Sequence, residues 1–177
     1  MKTQLLTVAC MVSALGLCSG CGTAPASHST VAATNVDADQ FKLAEEPDGA
    51  MGVIDALESA QDGAPLVLVG RVGGAANPWI DGRAAFSLID ASMAVMAAGA
   101  ECECAEGEIC MDDCCAEDRL KCTTLVKIVD GQGDLVSVDS RELLGLKESD
   151  MVVLQGTGQR DEAGNFVMLA KGVYVRD

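Results

Sequence analysis

The spacing of apolar and polar positions changes several times along the chain, and each change marks a boundary. Leu5 to Leu17 carries no charge and is mostly apolar, with Lys2 before it and the small-residue run Cys18-Ser19-Gly20-Cys21 after it. A charged start, a short apolar centre and a small-residue end follow the plan of a secretory signal peptide, and the run is too short for an ordinary membrane span. From Gly22 to Pro47 the chain is rich in Ala, Ser, Thr and Asp without apolar periodicity, which predicts a flexible tether. Periodicity returns with Met51, Ile54 and Leu57, the spacing of a short helix over 51–60 that Gly63-Ala64-Pro65 ends.

Beyond Pro65 the pattern becomes strand-like. Leu66 to Val72 runs into Gly73-Gly74, and Ala84 to Asp90 reads as its neighbour after turns at Asn77-Pro78 and Asp81-Gly82. Thr124 to Val129 passes through Asp130-Gly131-Gln132-Gly133-Asp134 into Leu135-Val136-Ser137-Val138, which together predict a third strand region with a short hairpin. Asp139 with Glu142 three residues later resembles a capping box, so a helix of about two turns is expected over 140–146, burying Leu143, Leu144 and Leu146. Met151 to Gly158 and Asn165 to Val175 flank the Asp161-Glu162-Ala163-Gly164 turn as a final hairpin. Glycines 70, 73, 74, 156 and 158 open no helix and precede no Gly-Lys-Ser/Thr, so they read as tight bends and not as a phosphate loop.

Three strands, a helix and two strands resemble the OB-fold. The resemblance spans Leu66 to Arg176. It implies a mainly β protein: a five-stranded Greek-key barrel with one short helix between strands three and four plugging an end, plus the short N-terminal helix and a cysteine-rich loop insert. More narrowly, Val69 to Gly74, Asp81 to Phe86 and Arg141 to Leu146 are similar to stretches in a group of secreted planctomycete-type proteins of unassigned function, a resemblance that implies fold and location alone. The small residues before Cys21 resemble the lipobox of bacterial lipoproteins, which implies that Cys21 is lipidated and becomes the mature N-terminus. Cys18 stands where lipoboxes usually carry Leu, and ordinary cleavage near Ala24-Pro25-Ala26 is the alternative. The expected organisation is a signal over 1–21, a tether over 22–47 and a barrel domain over 48–177 with its insert at 101–122.

That insert holds the most concentrated chemistry. Cys102, Cys104, Cys110, Cys114, Cys115 and Cys122 follow the pattern C-x-C-x5-C-x3-C-C-x6-C, while the other cysteines, Cys10, Cys18 and Cys21, belong to the export region. In an oxidising compartment an even number of cysteines pairs, and disulfides would staple a loop with almost no apolar residues of its own beyond Ile109 and Met111. Adjacent Cys114 and Cys115 bridge each other only with strain. The competing reading is thiolate binding of copper or zinc, favoured by Cys-x-Cys and the surrounding carboxylates but opposed by the need for reduced, deprotonated sulfur outside the cytosol. Redox exchange is a third reading.

Charge and composition remove other classes. Lys and Arg number 12 against 27 Asp and Glu, a net charge of −15, which repels phosphate backbones and argues against nucleic acid as a partner. The aromatics are few, namely Phe41, Trp79, Phe86, Phe166 and Tyr174, and the single histidine, His28, lies in the tether. No nucleophile and base pair is visible. The acidic residues Asp112, Asp113, Glu117 and Asp118 read as a solvated face, and Met93 and Met96 as a packed apolar turn. Arg71, Trp79 and Arg83 form a candidate ligand surface near the loop between strands one and two.

The function expected from these features is non-enzymatic. A cell-envelope lipoprotein, held to the membrane by its lipid in the periplasm or at the cell surface, would use the barrel to bind an envelope protein, a glycan or a small ligand, with the insert as a disulfide-stapled recognition loop. The alternative is an envelope protein that binds copper or zinc through the insert.

Overall fold

A computed structural model describes residues 36–93, 109, 111 and 115–176. The expected signal segment with Cys21, most of the expected tether, and Cys102, Cys104, Cys110 and Cys114 lie outside the described residues.

Five strands close into a barrel: β1 (Pro65–Val72), β2 (Ala85–Ile89), β3 (Thr123–Ile128), β4 (Met151–Arg160) and β5 (Phe166–Val175). Their order around the barrel is β1-β2-β3-β5-β4, with β4 returning to β1. Every pairing is antiparallel except β3 with β5. This is the five-stranded Greek-key arrangement of an OB-type barrel, as the element order predicted. Alternation decides which side chains fill it. Along β1 and β3 every second residue is buried, so Leu66, Leu68 and Val72 meet Val126 and Ile128 inside, together with Phe86, Leu88, Leu154 and Met168. Each such side chain contributes about 1.5–3 kcal/mol by leaving water.

Among the described residues three α-helices accompany the barrel: α1 (Val53–Ser59), α2 (Ala116–Lys121) and α3 (Ser140–Leu144). At the start of α3 the Asp139 carboxylate accepts from the Arg141 N–H, and Gly145 ends the helix in the left-handed conformation. Leu143, Leu144 and Leu146 are buried as expected and plug one end of the barrel. The long β4–β5 hairpin shifts register between Gln155 and Gly156. A Cβ at Gly156 would lie 2.0 Å from the Leu169 carbonyl oxygen, so this bulge admits glycine alone.

Two turns share one chemistry. Asp130 accepts backbone N–H groups from Gln132 and Asp134, and Asp161 does the same for Ala163 and Asn165. In both, the residue before the closing position is a glycine at positive φ, Gly133 or Gly164. An Asp-led turn with glycine in the left-handed position reverses the strand without an unsatisfied N–H.

Three expectations are corrected. The tether does not extend to Pro47: Ala38–Phe41 forms a 3-10 turn, Phe41 is 3% exposed, and the Leu43 N–H bonds to the Val173 carbonyl. Polar neighbours diluted this short apolar signal, and Phe41 and Leu43 find partners only in the folded barrel. Met51 likewise joins the sheet, making a parallel bridge to Leu68 where β1 runs beside no β2 residue. Leu135–Val138 forms no strand. Leu135 makes a single bridge to Val129 and Val136 turns into the core, because the capped start of α3 follows at once. The end of the insert is not loop but α2, whose first turn holds Glu117 and Asp118 and whose last holds Arg119 and Lys121. That charge order suits the helix dipole, and the absence of an apolar stripe hid the helix from periodicity.

Candidate functional site: a cleft between barrel and insert

The outer face of β2 is covered, which is unusual for a strand of alternating sequence. Ala85 and Ile89 point away from the interior residues Phe86 and Leu88, yet both are buried. Ile89 belongs to a second apolar cluster with Met93 and Cys122, against which Ile54 of α1 and Ile109 of the insert pack. The insert is therefore docked on the barrel at Ile109 and Cys122 and does not simply project from it.

Asp90 organises this junction. Its Oδ2 accepts the Ile54 N–H at 3.0 Å, and its Oδ1 accepts from the Ser92 N–H and hydroxyl at 2.9 and 2.7 Å. The residue before α1 is Gly52, which supplies no capping side chain. Asp90, distant in sequence, takes that place, and a Cβ at Gly52 would lie 2.7 Å from its Oδ2. Burial pushes the Asp90 carboxyl upward, but the hydrogen bonds from Ser92, Ile54 and Val53 outweigh it and hold the group below its ordinary range.

Where β1 ends, a cleft of about 310 Å³ opens between the barrel and the insert. Gly73 and Gly74 form its floor at positive φ. A Cβ at Gly73 would crowd the Ile109 side chain of the insert at 3.2 Å, and one at Gly74 would meet the Thr123 hydroxyl of β3 at 2.6 Å, a close approach within the barrel that favours glycine there. Ile109 and Met111 form the insert side, and Arg71, Glu148 and Ser149 the polar side. Arg71 donates Nη1 to the Ser149 carbonyl at 3.0 Å. Its Nε is buried and has no hydrogen-bond partner, and Arg71 makes no ion pair among the described residues. Ser149 is the one described residue other than glycine at positive φ, 71°. The turn holding it is pinned by the Ser149 N–H to the Val72 carbonyl and by the Lys147 N–H to the Asp150 carboxylate, and backbone strain of this kind collects at functional positions.

No family model, curated protein or solved structure matches the chain.

The structure separates the three residues grouped as a ligand surface. Arg71 lies opposite Ile89 at one end of β2, whereas Arg83 precedes the other end, about 13 Å or more away at the rise of a strand. Trp79 pairs with Phe86 as a bridge, and their ring centroids are 6.1 Å apart. The Arg141 guanidinium lies 5.5 Å from the Trp79 ring centroid while pairing with Asp81 and Asp139. Arg141 holds the Asp139 carboxyl down at about 2. Arg83 donates to the Ser137 hydroxyl at 2.6 Å. These contacts tie the loop between β1 and β2 to α3, so Trp79 caps the barrel, and of the three residues Arg71 alone lines the cleft.

Of the six insert cysteines, Cys115 and Cys122 fall among the described residues. They flank α2, which at 1.5 Å per residue sets them about 10 Å apart, beyond the reach of a mutual disulfide. Cys115 is half-buried. Cys122 is 8% exposed inside the second apolar cluster, where burial, then the charges of Asp90 and Asp118, push its thiol upward. Such a sulfur is a poor thiolate for a metal or for exchange.

A wider groove of about 740 Å³ lies between α1, α2 and the β4–β5 turn, with Leu120 at 77% exposure beside it. Its Arg160 is engaged, donating to the Leu57 and Gly164 carbonyls and lying over the Phe166 ring. Sequence reasoning missed Asp90, Ser149 and the insert wall of the Arg71 cleft. Asp90 was legible only as the end of a strand, and nothing in the local sequence of Ser149 marks its backbone.

Proposed function

We propose that this chain is a non-enzymatic cell-envelope lipoprotein whose OB-type barrel is a binding scaffold, with the cleft between β1 and the docked insert as its ligand site. The observation that carries the reading is Arg71: a cation on a strongly acidic protein, lining a preformed cleft, with an edge of its guanidinium committed to no carboxylate among the described residues. Arg141 and Arg160, by contrast, each spend two or more donor contacts on the protein itself. Apolar walls with a few convergent polar groups are the usual composition of small-ligand sites. Cys122 is a free thiol, so disulfides that fix the wall formed by Ile109 and Met111 would be drawn from the other insert cysteines. The buried position of Cys122 weighs against a reading in which all six cysteines bind copper or zinc.

The location follows from the N-terminal sequence: export, lipid on Cys21, and a short tether to the barrel. Fractionating cells that express the wild type and Cys21→Ala tests it. The wild type is expected in the membrane fraction and the variant is expected to leave it. A wild type found free in the cytoplasm would remove the envelope setting.

The ligand site is tested by a thermal-shift screen of small acids, glycans and short peptides against the wild type and Ala75→Trp, which fills the cleft from its loop wall. Ligands of this site stabilise the wild type and lose their effect in the variant. Ligands that act equally on both would move the site elsewhere.

A further inference from the structure

We propose that the cleft takes a small carboxylate carried on a short apolar body, received by the Arg71 guanidinium; this inference rests on the binding-scaffold reading above and names its ligand class. A guanidinium presents a planar fork of N–H groups that matches carboxylate oxygens. Here Nη1 is occupied by the Ser149 carbonyl, and Nε is shut away from water, out of reach of an incoming anion. Nη2 has no acceptor among the described residues and is the donor left for a ligand.

The rest of the cleft selects the class of anion. Glu148 lies on the same wall, and the chain carries a net charge of −15. Both oppose phosphate esters and polyanions, which bring two or more charges, and tolerate a monoanion neutralised by one arginine. Val72, Ile109 and Met111 give the cleft apolar surface that a carboxylate alone would leave unused. Met111 is 41% exposed at the rim, where its flexible side chain can close over an apolar body. Its volume of about 310 Å³ stands at the lower end of ligand sites and suits a small molecule or the last residue of a peptide. Both sources present the same group, a carboxylate beside an aliphatic side chain.

Calorimetric titration of the full chain at fixed ionic strength tests this with hexanoate, N-acetylleucine, N-acetylleucinamide and inorganic phosphate. Binding of one or both carboxylates is expected, with the neutral amide and phosphate weaker by about 10-fold or more. Preference for hexanoate identifies a free acid as the source, and preference for N-acetylleucine a peptide end. Arg71→Gln is expected to weaken carboxylate binding about 10-fold or more, with Arg71→Lys intermediate because it keeps the charge and loses the planar guanidinium. Glu148→Gln is expected to strengthen it about 2- to 5-fold. Melting curves confirm that each variant is folded. The inference is overturned if folded wild type binds neither carboxylate, if the amide binds as well as the acid, or if folded Arg71→Gln binds undiminished. Ala75→Trp separates the two levels. Amide binding that this variant abolishes leaves the cleft as a ligand site and removes only the carboxylate, whereas binding that it leaves unchanged removes both.

Discussion

Asp90 joins α1, β2 and the start of the insert region through one carboxylate, and its effects can be worked out at the level of that group. Losing the cap in Asp90→Ala would leave buried N–H groups of α1 without an acceptor, an expected cost of about 1–3 kcal/mol in denaturant unfolding at neutral pH. The sign with pH follows from its depressed carboxyl. A folded pKa below the unfolded value of about 3.9 stabilises at all higher pH and is lost as pH falls through the folded pKa. Asp139, held at about 2 by Arg141, acts in the same direction. The wild type is therefore expected to lose stability between about pH 4 and pH 2, and the difference between it and Asp90→Ala to shrink over the same interval. A gap that widened as the solution became more acidic would contradict this assignment. Cys122 gives a second check at this scale. Alkylation of the native chain should spare it, and modification should require unfolding, because its sulfur is both buried and kept protonated.

At the scale of elements, alternation made the barrel strands readable, since period-two burial leaves a direct trace in Leu66 to Val72 and Thr124 to Val129. The capped helix and the final hairpin were legible for the same kind of reason, local chemistry at Asp139 and Asp161. What escaped was everything whose stability comes from a partner distant in sequence. Phe41 and Leu43 form no periodic pattern, Ile109 stands alone among polar residues, and the cap of α1 lies on another strand. Arg71 was visible as a candidate, but the company that gives it meaning was not. Two outcomes follow. Phe41→Ala is expected to cost about 3–4 kcal/mol in equilibrium unfolding, as for a buried core aromatic; a tether residue would cost nothing measurable. Ile109→Asp is expected to raise hydrogen exchange at 73–76 and 120–124 while leaving β4 and β5 protected. Unaltered exchange there would mean that the insert does not dock on Ile89.

The described residues combine a closed five-stranded barrel with a chain of net charge −15. Self-repulsion among so many carboxylates opposes compactness, and added salt screens it. The melting temperature is expected to rise between 0.02 and 0.5 M sodium chloride by a few degrees, roughly the effect of 1 kcal/mol. Carboxylate binding at Arg71 should weaken over the same range, so the two effects of salt have opposite signs. Against this acidic background a single cleft that retains an uncommitted guanidinium edge is the feature most specific to the chain. Its position follows from the fold: β1 ends there, glycines remove the side chains, and the insert closes the opposite wall.

Hydrogen exchange of the full chain, with and without a ligand from the thermal-shift screen, tests this placement most directly. The account predicts new protection at 71–75, 109–111 and 148–150. Protection confined to the Trp79 loop, or to the groove beside Leu120, would contradict it.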